Sequence, residues 1–363
     1  MSDASIGVGV LGYAFMGRAH SSAYRRLPQV ATGLPLRPRL VAIAGRDTRS
    51  VAAAASRFGY ERYVTDWREL ISDPEIQLFD NCGPNGLHAE PTCAAAEAGK
   101  HVLCEKPLAR NADEALSMWR AAERAGVQHL CGFNYRFVPA VRLARQVLEA
   151  GDIGEIHHFR ASYLQEWGAT TERLWRFDRE TAGSGALGDL GAHVIDLARY
   201  LVGEVEEVSA LVRTFQPDRA VDDAFVAVAS LAGGALATFE ATRLAPGRKN
   251  SLRWEINGSR GSLGFDLERP NVLLRSRGEC GFTERLVTEP DDPFMSWWWP
   301  PGHVIGWEHT FVHEIEHFLG AIAGRNTVAP HAATFEDGYR VAEVCDAIER
   351  SAASGRREVV VYR

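Results

Sequence analysis

Residues Ile6–Gly17 read IGVGVLGYAFMG, and this stretch decides the fold of the first part of the chain. Its apolar run, Ile6–Leu11, is typical of a buried strand in a parallel sheet. Directly after the stretch we predict a helix over about Arg18–Leu27. A strand that passes through a glycine-containing turn into a helix is the first unit of a dinucleotide-binding fold.

The turn between this strand and helix carries three small residues at the spacing of a phosphate-binding motif. Gly12 would make the tight turn, and Gly17 would let the helix pack closely on the strand. Ala14 occupies the middle position, where a second glycine would let the backbone approach a pyrophosphate most closely. The motif therefore predicts a dinucleotide site, but a tight turn that binds no ligand also fits it.

Strands and helices continue to alternate up to residue 131. The predicted strands are Leu40–Ala44, Gln77–Asn81, His101–Cys104 and Val127–Cys131, and the predicted helices are Thr48–Phe58 and a helix that Asn111 caps and that runs to Arg124. This alternation predicts an α/β Rossmann domain with a doubly wound parallel sheet. In such a sheet, ligands bind at the carboxyl ends of the strands.

Polar residues follow two of these predicted strands. Gly83, Pro84, Asn85 and then His88 come after one strand, and Glu105-Lys106-Pro107 comes after the next. A lysine at a strand end, followed by a proline that restricts the backbone, is a rigidly placed cation. We therefore predict a role for this lysine at the ligand site, although most single lysines are solvated surface residues.

The end of the second strand predicts which dinucleotide is bound. An acidic residue there would hold the ribose hydroxyls of NAD, whereas a small residue followed by arginine would accept the 2′-phosphate of NADP. The chain has Gly45, Arg46 and Asp47 at this position. The pattern leans slightly towards NADP, while Asp47 keeps NAD open.

The second half of the chain predicts a different architecture. Short strands are expected at Ile156–Tyr163, Val208–Arg213, Ala224–Leu231 and Ala235–Thr242, with a hairpin turn at Gly233-Gly234. Consecutive strands with tight turns pair in antiparallel fashion. We place the boundary near Gly132–Val138, which gives domains of residues 1–132 and 133–363.

The stretch Gly188–Asp196 reads GDLGAHVID and carries the most chemistry in this second half. On a helix, Asp189 and His193 would be four residues apart and share one face, so the imidazole could act as a proton acceptor beside a carboxylate. The glycine-rich tract before it, Ala182–Gly188, would let a ligand approach the backbone. An ordinary hydrogen-bonded pair on a helix face remains the simpler alternative.

Three motifs together resemble the Gfo/Idh/MocA family of sugar and cyclitol oxidoreductases: Gly12-x-Ala14-x-x-Gly17, Glu105-Lys106-Pro107 and Gly188-Asp189-x-x-x-His193-x-x-Asp196. The resemblance implies that Lys106, Asp189 and His193 are the catalytic residues. It implies an NAD(P)-dependent oxidation of a ring alcohol in a sugar, anhydrosugar, glycoside or inositol. It also implies a C-terminal α+β domain with an open, mainly antiparallel sheet, which would form a homodimer or homotetramer.

Further stretches resemble one branch of this family, namely Tyr163–Trp167, Trp175–Phe177, Gly183–Asp189 and Glu240–Arg243. From this resemblance and from the residue patterns themselves, we predict two sets of binding residues. The cofactor set is Gly12, Tyr13, Ala14, Phe15, Met16, Gly17, Arg46, Asp47, Pro84, Asn85, His88, Glu105 and Lys106. The substrate set is Lys106, Tyr163, Gln165, Trp167, Trp175, Arg176, Asp189, His193 and His309. The run Trp297–Trp299 is expected in an active-site or interface loop, since alternate side chains in one element diverge.

Composition limits the class of protein. The 363 residues carry a formal net charge of −7, which disfavours nucleic acid as a partner, and no apolar run is long enough to span a membrane. Met1–Ser5 lacks the basic and apolar parts of a signal peptide. The six cysteines form no Cys-x-x-Cys pair. These features predict a cytoplasmic protein with reduced thiols and no metal.

Two other functions compete with the dehydrogenase. His313-Glu314-x-x-His317 matches the pattern in which two helical histidines bind zinc in a protease. The surrounding apolar residues describe an ordinary amphipathic helix, and no third ligand stands at a familiar spacing. The second alternative is a non-catalytic sensor that binds a dinucleotide on the same scaffold. The presence of Lys106, Asp189 and His193 together argues against it.

Overall fold

The computed structural model describes residues 4–170, 172, 174–278 and 280–363. The expectation about a signal peptide falls partly on residues 1–3, which lie outside the described residues. No helix in the described part of the chain is long and apolar enough to cross a membrane. All six cysteines are described, and they form no disulfide bond with one another.

The chain divides into two compact units, each made of two separate segments, whereas the sequence predicted a single boundary after residue 132. The first unit comprises Met1–Asn134 and Glu308–Tyr339, and the second comprises Tyr135–Trp307 and Arg340–Arg363. The returning segment lies in the first unit because its helix packs on the helix that follows the glycine turn. Contacts between segments so distant in sequence leave no local signal.

The first unit contains a six-stranded parallel sheet with helices. Its elements are β1 (Ser5–Leu11), α1 (Phe15–Val30), β2 (Arg37–Ala44), α2 (Thr48–Phe58), β3 (Arg62–Val64), α3 (Trp67–Ser72), β4 (Leu78–Asn81), α4 (Ala89–Glu97), β5 (His101–Glu105), α5 (Ala112–Ala125), β6 (His129–Gly132) and α9 (His309–Ile322). The strand order is β3-β2-β1-β4-β5-β6, with every pair parallel. The predicted Rossmann-type sheet is confirmed.

Local sequence explains several of these boundaries. Asn111 caps α5 by accepting a hydrogen bond from the Glu114 backbone N–H at 2.9 Å, as predicted, and Gly126 ends the helix in the left-handed conformation. The predicted start of α1 at Arg18 is wrong, because the helix already begins at Phe15, directly after the turn. The helix also continues past Leu27, to Val30. Pro28 does not end it, because this proline lies in the last turn and removes only one backbone donor there.

The second unit contains a nine-stranded open sheet. Its elements are α6 (Pro139–Glu149), β7 (Ile156–Leu164), α7 (Arg179–Ala182), α8 (Ala192–Leu201), β8 (Val205–Arg213), β9 (Ala224–Leu231), β10 (Leu236–Thr242), β11 (Ser251–Gly258), β12 (Gly261–Asp266), β13 (Val272–Ser276), β14 (Thr283–Leu286) and β15 (Glu358–Val359). The last helix, α10 (Phe335–Ser354), begins in the first unit and ends in the second.

The sheet of the second unit has the order β14-β13-β12-β11-β7-β10-β9-β8-β15. Among the described strands of this sheet, only β7 and β10 pair in parallel, so the predicted mainly antiparallel sheet is confirmed. Gly233 and Gly234 both have positive φ angles in the turn between β9 and β10, which confirms the predicted hairpin. Helices α6 and α8 pack against this sheet.

Candidate active site

The glycine turn of the first unit has the close packing that the sequence predicts. Gly12 has a φ of +100°, and a Cβ atom there would lie 2.7 Å from the carbonyl oxygen of Cys82. A Cβ atom on Gly17 would overlap the carbonyl oxygen of Gly12. Helix α1 starts after Ala14, which provides no side-chain cap, and its first turn carries no acidic residue. The turn therefore fits the phosphates of a dinucleotide, since backbone N–H groups at an uncapped helix start favour anions.

The end of β2 shows a second reason for the glycine at position 45. A Cβ atom on Gly45 would overlap the ring of Tyr13, so a side chain at this position would require that ring to move. Arg46 is exposed. Asp47 caps α2, and its carboxylate accepts a hydrogen bond from the Ser50 backbone N–H at 2.8 Å. Hydrogen bonds from Ser50 hold the pKa of Asp47 below its ordinary value.

The loops after β4 and β5 are held together by His88. This buried histidine places Nδ1 2.9 Å from the carbonyl oxygen of Pro107 and Nε2 3.0 Å from that of Gly83. Burial lowers the pKa of His88. Pro84 and Asn85 begin a short 3₁₀ turn between these contacts and α4. The structure thus gives His88 a bridging role between backbone carbonyls; its predicted contact with a cofactor stays a prediction.

In the second unit, Asp189 and His193 do not lie on one regular α-helix. Residues Leu187–Gly191 form a π-helical turn, and α8 begins at Ala192. The wider turn changes the side-chain spacing that the i, i+4 argument assumed. The carboxylate of Asp189 forms an ion pair with Arg243, at 3.1 Å between Oδ2 and Nη2. Arg243 is almost completely buried, and the sequence reasoning missed this partner.

Two tyrosines surround the imidazole of His193, which is itself buried. The ring centroid of Tyr135 lies 4.4 Å from that of His193, and the Tyr163 centroid lies 5.8 Å away. The hydroxyl groups of the two tyrosines are 2.8 Å apart. Burial raises the pKa of both hydroxyls, so they stay protonated at neutral pH. Tyr135 was missed because it lies beyond the predicted strands and far from His193 in sequence.

The predicted substrate residues Tyr163, Gln165 and Trp167 belong to one hydrogen-bond network. The hydroxyl of Tyr163 and the Nε2 amide of Gln165 each donate to Oδ1 of Asn250, both at 2.6 Å. The Trp167 indole N–H donates to Gln165 Oε1 at 2.5 Å. The guanidinium of Arg243 lies over the Trp167 ring at 4.9 Å, which connects this network to Asp189.

The glycine-rich tract before Asp189 serves a different purpose from the one the sequence suggested. A Cβ atom on Gly185 would overlap the backbone carbonyl of Asp222. The Asp222 carboxylate accepts hydrogen bonds from the backbone N–H groups of Gly185 at 2.5 Å and Leu187 at 2.8 Å. The expectation that the tract leaves room for a ligand is thus wrong at Gly185, because another part of the chain fills that space.

The last residue of the GDLGAHVID motif is structural. Asp196 accepts two hydrogen bonds from Arg136, at 2.9 Å from Nε and 2.6 Å from Nη2, and both side chains are buried. A bidentate arginine–carboxylate pair is a geometrically specific contact. It ties α8, which carries His193, to the short 3₁₀ turn Asn134–Phe137, which carries Tyr135.

Other predicted substrate residues occupy separate places. Trp175 and Arg176 lie in a 3₁₀ turn, where the guanidinium stacks 4.4 Å from the indole centroid. His309 is the first residue of α9 in the first unit. Of the tryptophan run, Trp298 is buried and Trp299 is half exposed, so the side chains diverge as expected for a loop.

The zinc alternative has little structural support. In α9, His317 places Nε2 3.0 Å from the carbonyl oxygen of Val328. Within the described residues, the cluster of three potential ligands that could hold a metal is formed by His20, Asp80 and Cys82, not by His313 and His317. The histidines of α9 therefore belong to an amphipathic helix with a buried apolar face.

Two family models match the chain in succession. Residues 6–133 match the oxidoreductase family with an NAD-binding Rossmann fold, and residues 141–264 match the GFO/IDH/MocA C-terminal domain. The chain belongs to the Gfo/Idh/MocA family of oxidoreductases.

Particular relatives sharpen this assignment. Levoglucosan dehydrogenase from Pseudarthrobacter phenanthrenivorans is 41% identical over 379 residues, with 96% of each chain covered. A crystal structure of an oxidoreductase domain protein from Kribbella flavida is 46% identical, with a TM-score of 0.94 over 99% of this chain and 100% of that one. A levoglucosan dehydrogenase structure in complex with NADH and levoglucosan is 42% identical, with a TM-score of 0.95 and the same coverage. All three are named as oxidoreductases or dehydrogenases, which gives no support to the sensor or the zinc hydrolase.

Proposed function

We propose that this protein is an NAD(P)-dependent dehydrogenase that oxidises a secondary ring alcohol of an anhydrosugar of the levoglucosan type. The observation that carries the proposal is the likeness to levoglucosan dehydrogenase over both units, at 41% identity and 96% coverage. A levoglucosan dehydrogenase structure that is 42% identical to this chain holds NADH together with levoglucosan. Pyranoses, glycosides and inositols are the next substrate classes to test.

In the proposed mechanism, His193 accepts the proton of the reacting hydroxyl group. Its imidazole lies against Tyr135, and the Arg136–Asp196 pair fixes its helix. Asp189, paired with Arg243, orients the imidazole or the substrate. Lys106 donates a hydrogen bond to the reacting oxygen and stabilises its developing negative charge. A dinucleotide held at the turn Gly12–Gly17 would supply the hydride acceptor: the hydride would leave the carbon that carries the reacting hydroxyl group, and the hydroxyl proton would be released.

The residues around Trp167 would bind the sugar. An anhydrosugar presents several hydroxyl groups and a compact apolar face, which suit amide side chains and an indole ring. Gln165 and Asn250 supply the amides, and both are already held by Tyr163. We propose that Trp175, Arg176 and His309 also contact the substrate.

We propose that the enzyme uses NADP⁺ at least as well as NAD⁺. No acid stands directly at the end of β2, the carboxylate of Asp47 is engaged in capping α2, and Arg46 is exposed. An Arg46→Ala variant would lose a charge-assisted hydrogen bond to the 2′-phosphate, so KM for NADP⁺ should rise about tenfold or more while KM for NAD⁺ stays unchanged. An equal change in both KM values would contradict this role.

We also propose a homo-oligomer that forms through the open sheet of the second unit. Four large apolar side chains on strands β8, β9 and β10 are more than half exposed: Leu211, Val226, Val228 and Leu236. Exposed apolar side chains on an open sheet mark an interaction surface. Sedimentation velocity would distinguish a dimer from a tetramer, and a Val228→Lys variant should shift the assembly towards monomers.

We also predict that the protein is cytoplasmic and that its substrate is a small molecule.

The test of the whole proposal is cofactor reduction, followed by absorbance, with NAD⁺ and NADP⁺ against a panel of ring polyols. The panel should contain levoglucosan, pyranoses, glycosides and inositols. Turnover that is strongest with levoglucosan is the expected result. A Lys106→Ala variant should lose turnover while dinucleotide binding stays largely intact. A wild-type protein that binds dinucleotide but turns over no member of the panel would contradict the proposed substrate class.

A further inference from the structure

A histidine that the sequence analysis did not single out lies between two carboxylates in the first unit. His20 is on α1 and is completely buried. Its Nδ1 atom lies 2.9 Å from Oδ2 of Asp80, at the end of β4, and its Nε2 atom lies 2.9 Å from Oε1 of Glu105, at the end of β5. Both carboxylates are also buried. The ring therefore connects the ends of two neighbouring strands.

When both carboxylates are ionised, both contacts of His20 are hydrogen bonds only if the ring is protonated. Ionised carboxylates only accept hydrogen bonds, and a neutral imidazole has one N–H group to donate. Burial alone would lower the pKa of an imidazole, but the neighbouring Asp80 carboxylate raises the pKa of His20 well above its ordinary value. A buried pair of carboxylates also needs a positive partner, since unpaired buried charges are costly.

The surroundings of the ring complete this picture. Besides Asp80 and Glu105, the titratable groups near it include the Cys82 thiol, whose Sγ donates to Asp80 Oδ1 at 3.4 Å, and the hydroxyls of Tyr24 and Tyr60. Burial raises the pKa of all three groups, so they are neutral at pH 7. Helix α9 contributes the apolar ring of Phe311, 5.3 Å from the imidazole between ring centroids. The charges of the cluster are thus two carboxylates and one imidazolium.

One of these carboxylates also holds the backbone of the proposed catalytic lysine. The second oxygen of Glu105, Oε2, accepts a hydrogen bond from the backbone N–H of Lys106 at 3.1 Å. Gly132 of β6 lies close to the same carboxylate, since a Cβ atom there would be 3.0 Å from Oε1. Glu105 is therefore held between the imidazolium, at Oε1, and the backbone N–H of Lys106, at Oε2.

We propose that His20 is a positioning residue for Lys106: its imidazolium fixes Glu105, and Glu105 fixes the backbone from which the lysine side chain extends. This inference rests on the proposed function, because it assumes that Lys106 acts in catalysis. The consequence is specific. Loss of the imidazolium should misplace the lysine and lower kcat, while substrate and dinucleotide still bind.

A metal site is the competing explanation for the same cluster. His20, Asp80 and Cys82 each offer one ligand atom, and these three atoms lie within 4.8 Å of one another. A metal ion would have to replace a proton on an imidazole whose two nitrogens both face carboxylates. Elemental analysis of the purified protein separates the two explanations, since stoichiometric zinc or another transition metal would overturn the positioning role.

The experiment compares His20→Gln with His129→Gln. His129 is a matched control, because it is also buried in the first unit and its Nε2 atom lies 2.9 Å from a carboxylate, that of Glu123, at the other end of β6. The readouts are the thermal midpoint, dinucleotide affinity, and kcat and KM measured separately. We expect His20→Gln to lower kcat on the order of 10²-fold, the effect that a displacement of about 1 Å can have, with little change in KM. We expect His129→Gln to keep kcat.

The outcomes separate this inference from the proposed function. If Lys106→Ala keeps its turnover, the catalytic role of the lysine is wrong. If Lys106→Ala loses turnover but His20→Gln keeps it, only the positioning role is wrong. Equal losses of kcat in His20→Gln and His129→Gln would also overturn it, since a general loss of structure would then explain both.

A measurement on the wild-type protein keeps the proposal testable if His20→Gln does not fold. With ¹⁵N-labelled histidine, one of the 12 histidines should keep the nitrogen signals of an imidazolium at a pH well above the usual value for imidazole. Its absence would overturn the proposal. Because the folded-state pKa is raised, the stability that the ring contributes is complete below the unfolded-state pKa and disappears as the pH rises through the folded-state value.

Discussion

In the first unit, the glycine turn Gly12–Gly17 is built from backbone atoms that pack closely because the glycines have no side chains. In the second unit, His193 is surrounded by side chains that hold one another in place. Gly12 and Gly17 leave no room for a Cβ atom against neighbouring backbone. Around His193, the arrangement depends on pairs far apart in sequence, such as Asp189 with Arg243. A backbone-built site is encoded in one short stretch, and a side-chain-built site is spread over the chain. Substitutions in the two sites should therefore affect binding and activity in different ways.

The largest effect should come from the second unit. His193→Ala removes the proposed general base, so kcat should fall about 10²–10⁴-fold. Dinucleotide affinity should stay unchanged, because the turn that carries the glycines lies in the other unit. His157→Ala, which changes an exposed histidine on β7, is the control and should keep full activity. Steady-state kinetics would contradict the assignment if the His193 variant kept its kcat.

Arg243→Met tests whether the side chains of the second unit support one another. The variant leaves the Asp189 carboxylate without its cation, and breaking such a pair should lower the free energy of unfolding by about 3 kcal/mol and reduce kcat. In the control Arg253→Met, the arginine that pairs with Asp266 is 46% exposed, against 2% for Arg243, so the loss should be below about 1 kcal/mol. Denaturant unfolding gives both values. Equal losses would mean that burial of Arg243 adds nothing.

Gly17→Ala tests the backbone-built site with a single methyl group. The new Cβ atom would overlap the carbonyl oxygen of Gly12, and relief of such crowding costs about 1–3 kcal/mol. Dinucleotide affinity should fall about tenfold. Gly281→Ala is the control, since a Cβ atom there meets no heavy atom within 4 Å. If isothermal titration showed that both variants bind the dinucleotide as tightly as the wild type does, the predicted dinucleotide site at this turn would be wrong.

The smallest effect should come from Asp47→Ala, which separates a cap from a ribose contact. If Asp47 only caps α2, the variant lowers the thermal midpoint slightly and leaves KM for NAD⁺ unchanged. The lowered pKa means that this contribution exists above the unfolded-state pKa and is lost as the pH falls through the folded-state value, so wild type and variant should converge in acid. Asn111→Ala removes the cap of α5 in the same way. A rise in KM for NAD⁺ with Asp47→Ala alone would reveal a ribose contact.

The same contrast explains how much could be predicted from sequence. The parallel sheet, the glycine turn, the α5 cap and the β9–β10 hairpin all follow from patterns within a few residues. Tyr135 and Arg243 could not be found in this way, because their contacts with His193 and Asp189 cross more than fifty residues of chain. The signal for Asp189 and His193 was present, but the π-helical turn that sets their orientation leaves no pattern in the sequence.

The charged cluster at His20 shows a different limit. A histidine three residues after Gly17 is visible in the sequence, and so are the carboxylates of Asp80 and Glu105. Only the strand order places β4 beside β5, so that both carboxylates reach one imidazole. The three residue types are visible in the sequence, but their proximity depends on the order of the strands in the sheet.

The chain enters the first unit twice, and this has a consequence for how the protein can be divided. A fragment that ends at Asn134 would lack α9, the helix that packs on α1 and places Phe311 against His20. The dinucleotide half is therefore not a cassette that can be cut out or exchanged at one junction. A chimaera with another family member would need to transfer Glu308–Tyr339 along with the N-terminal segment, and the two pieces would have to be inherited together.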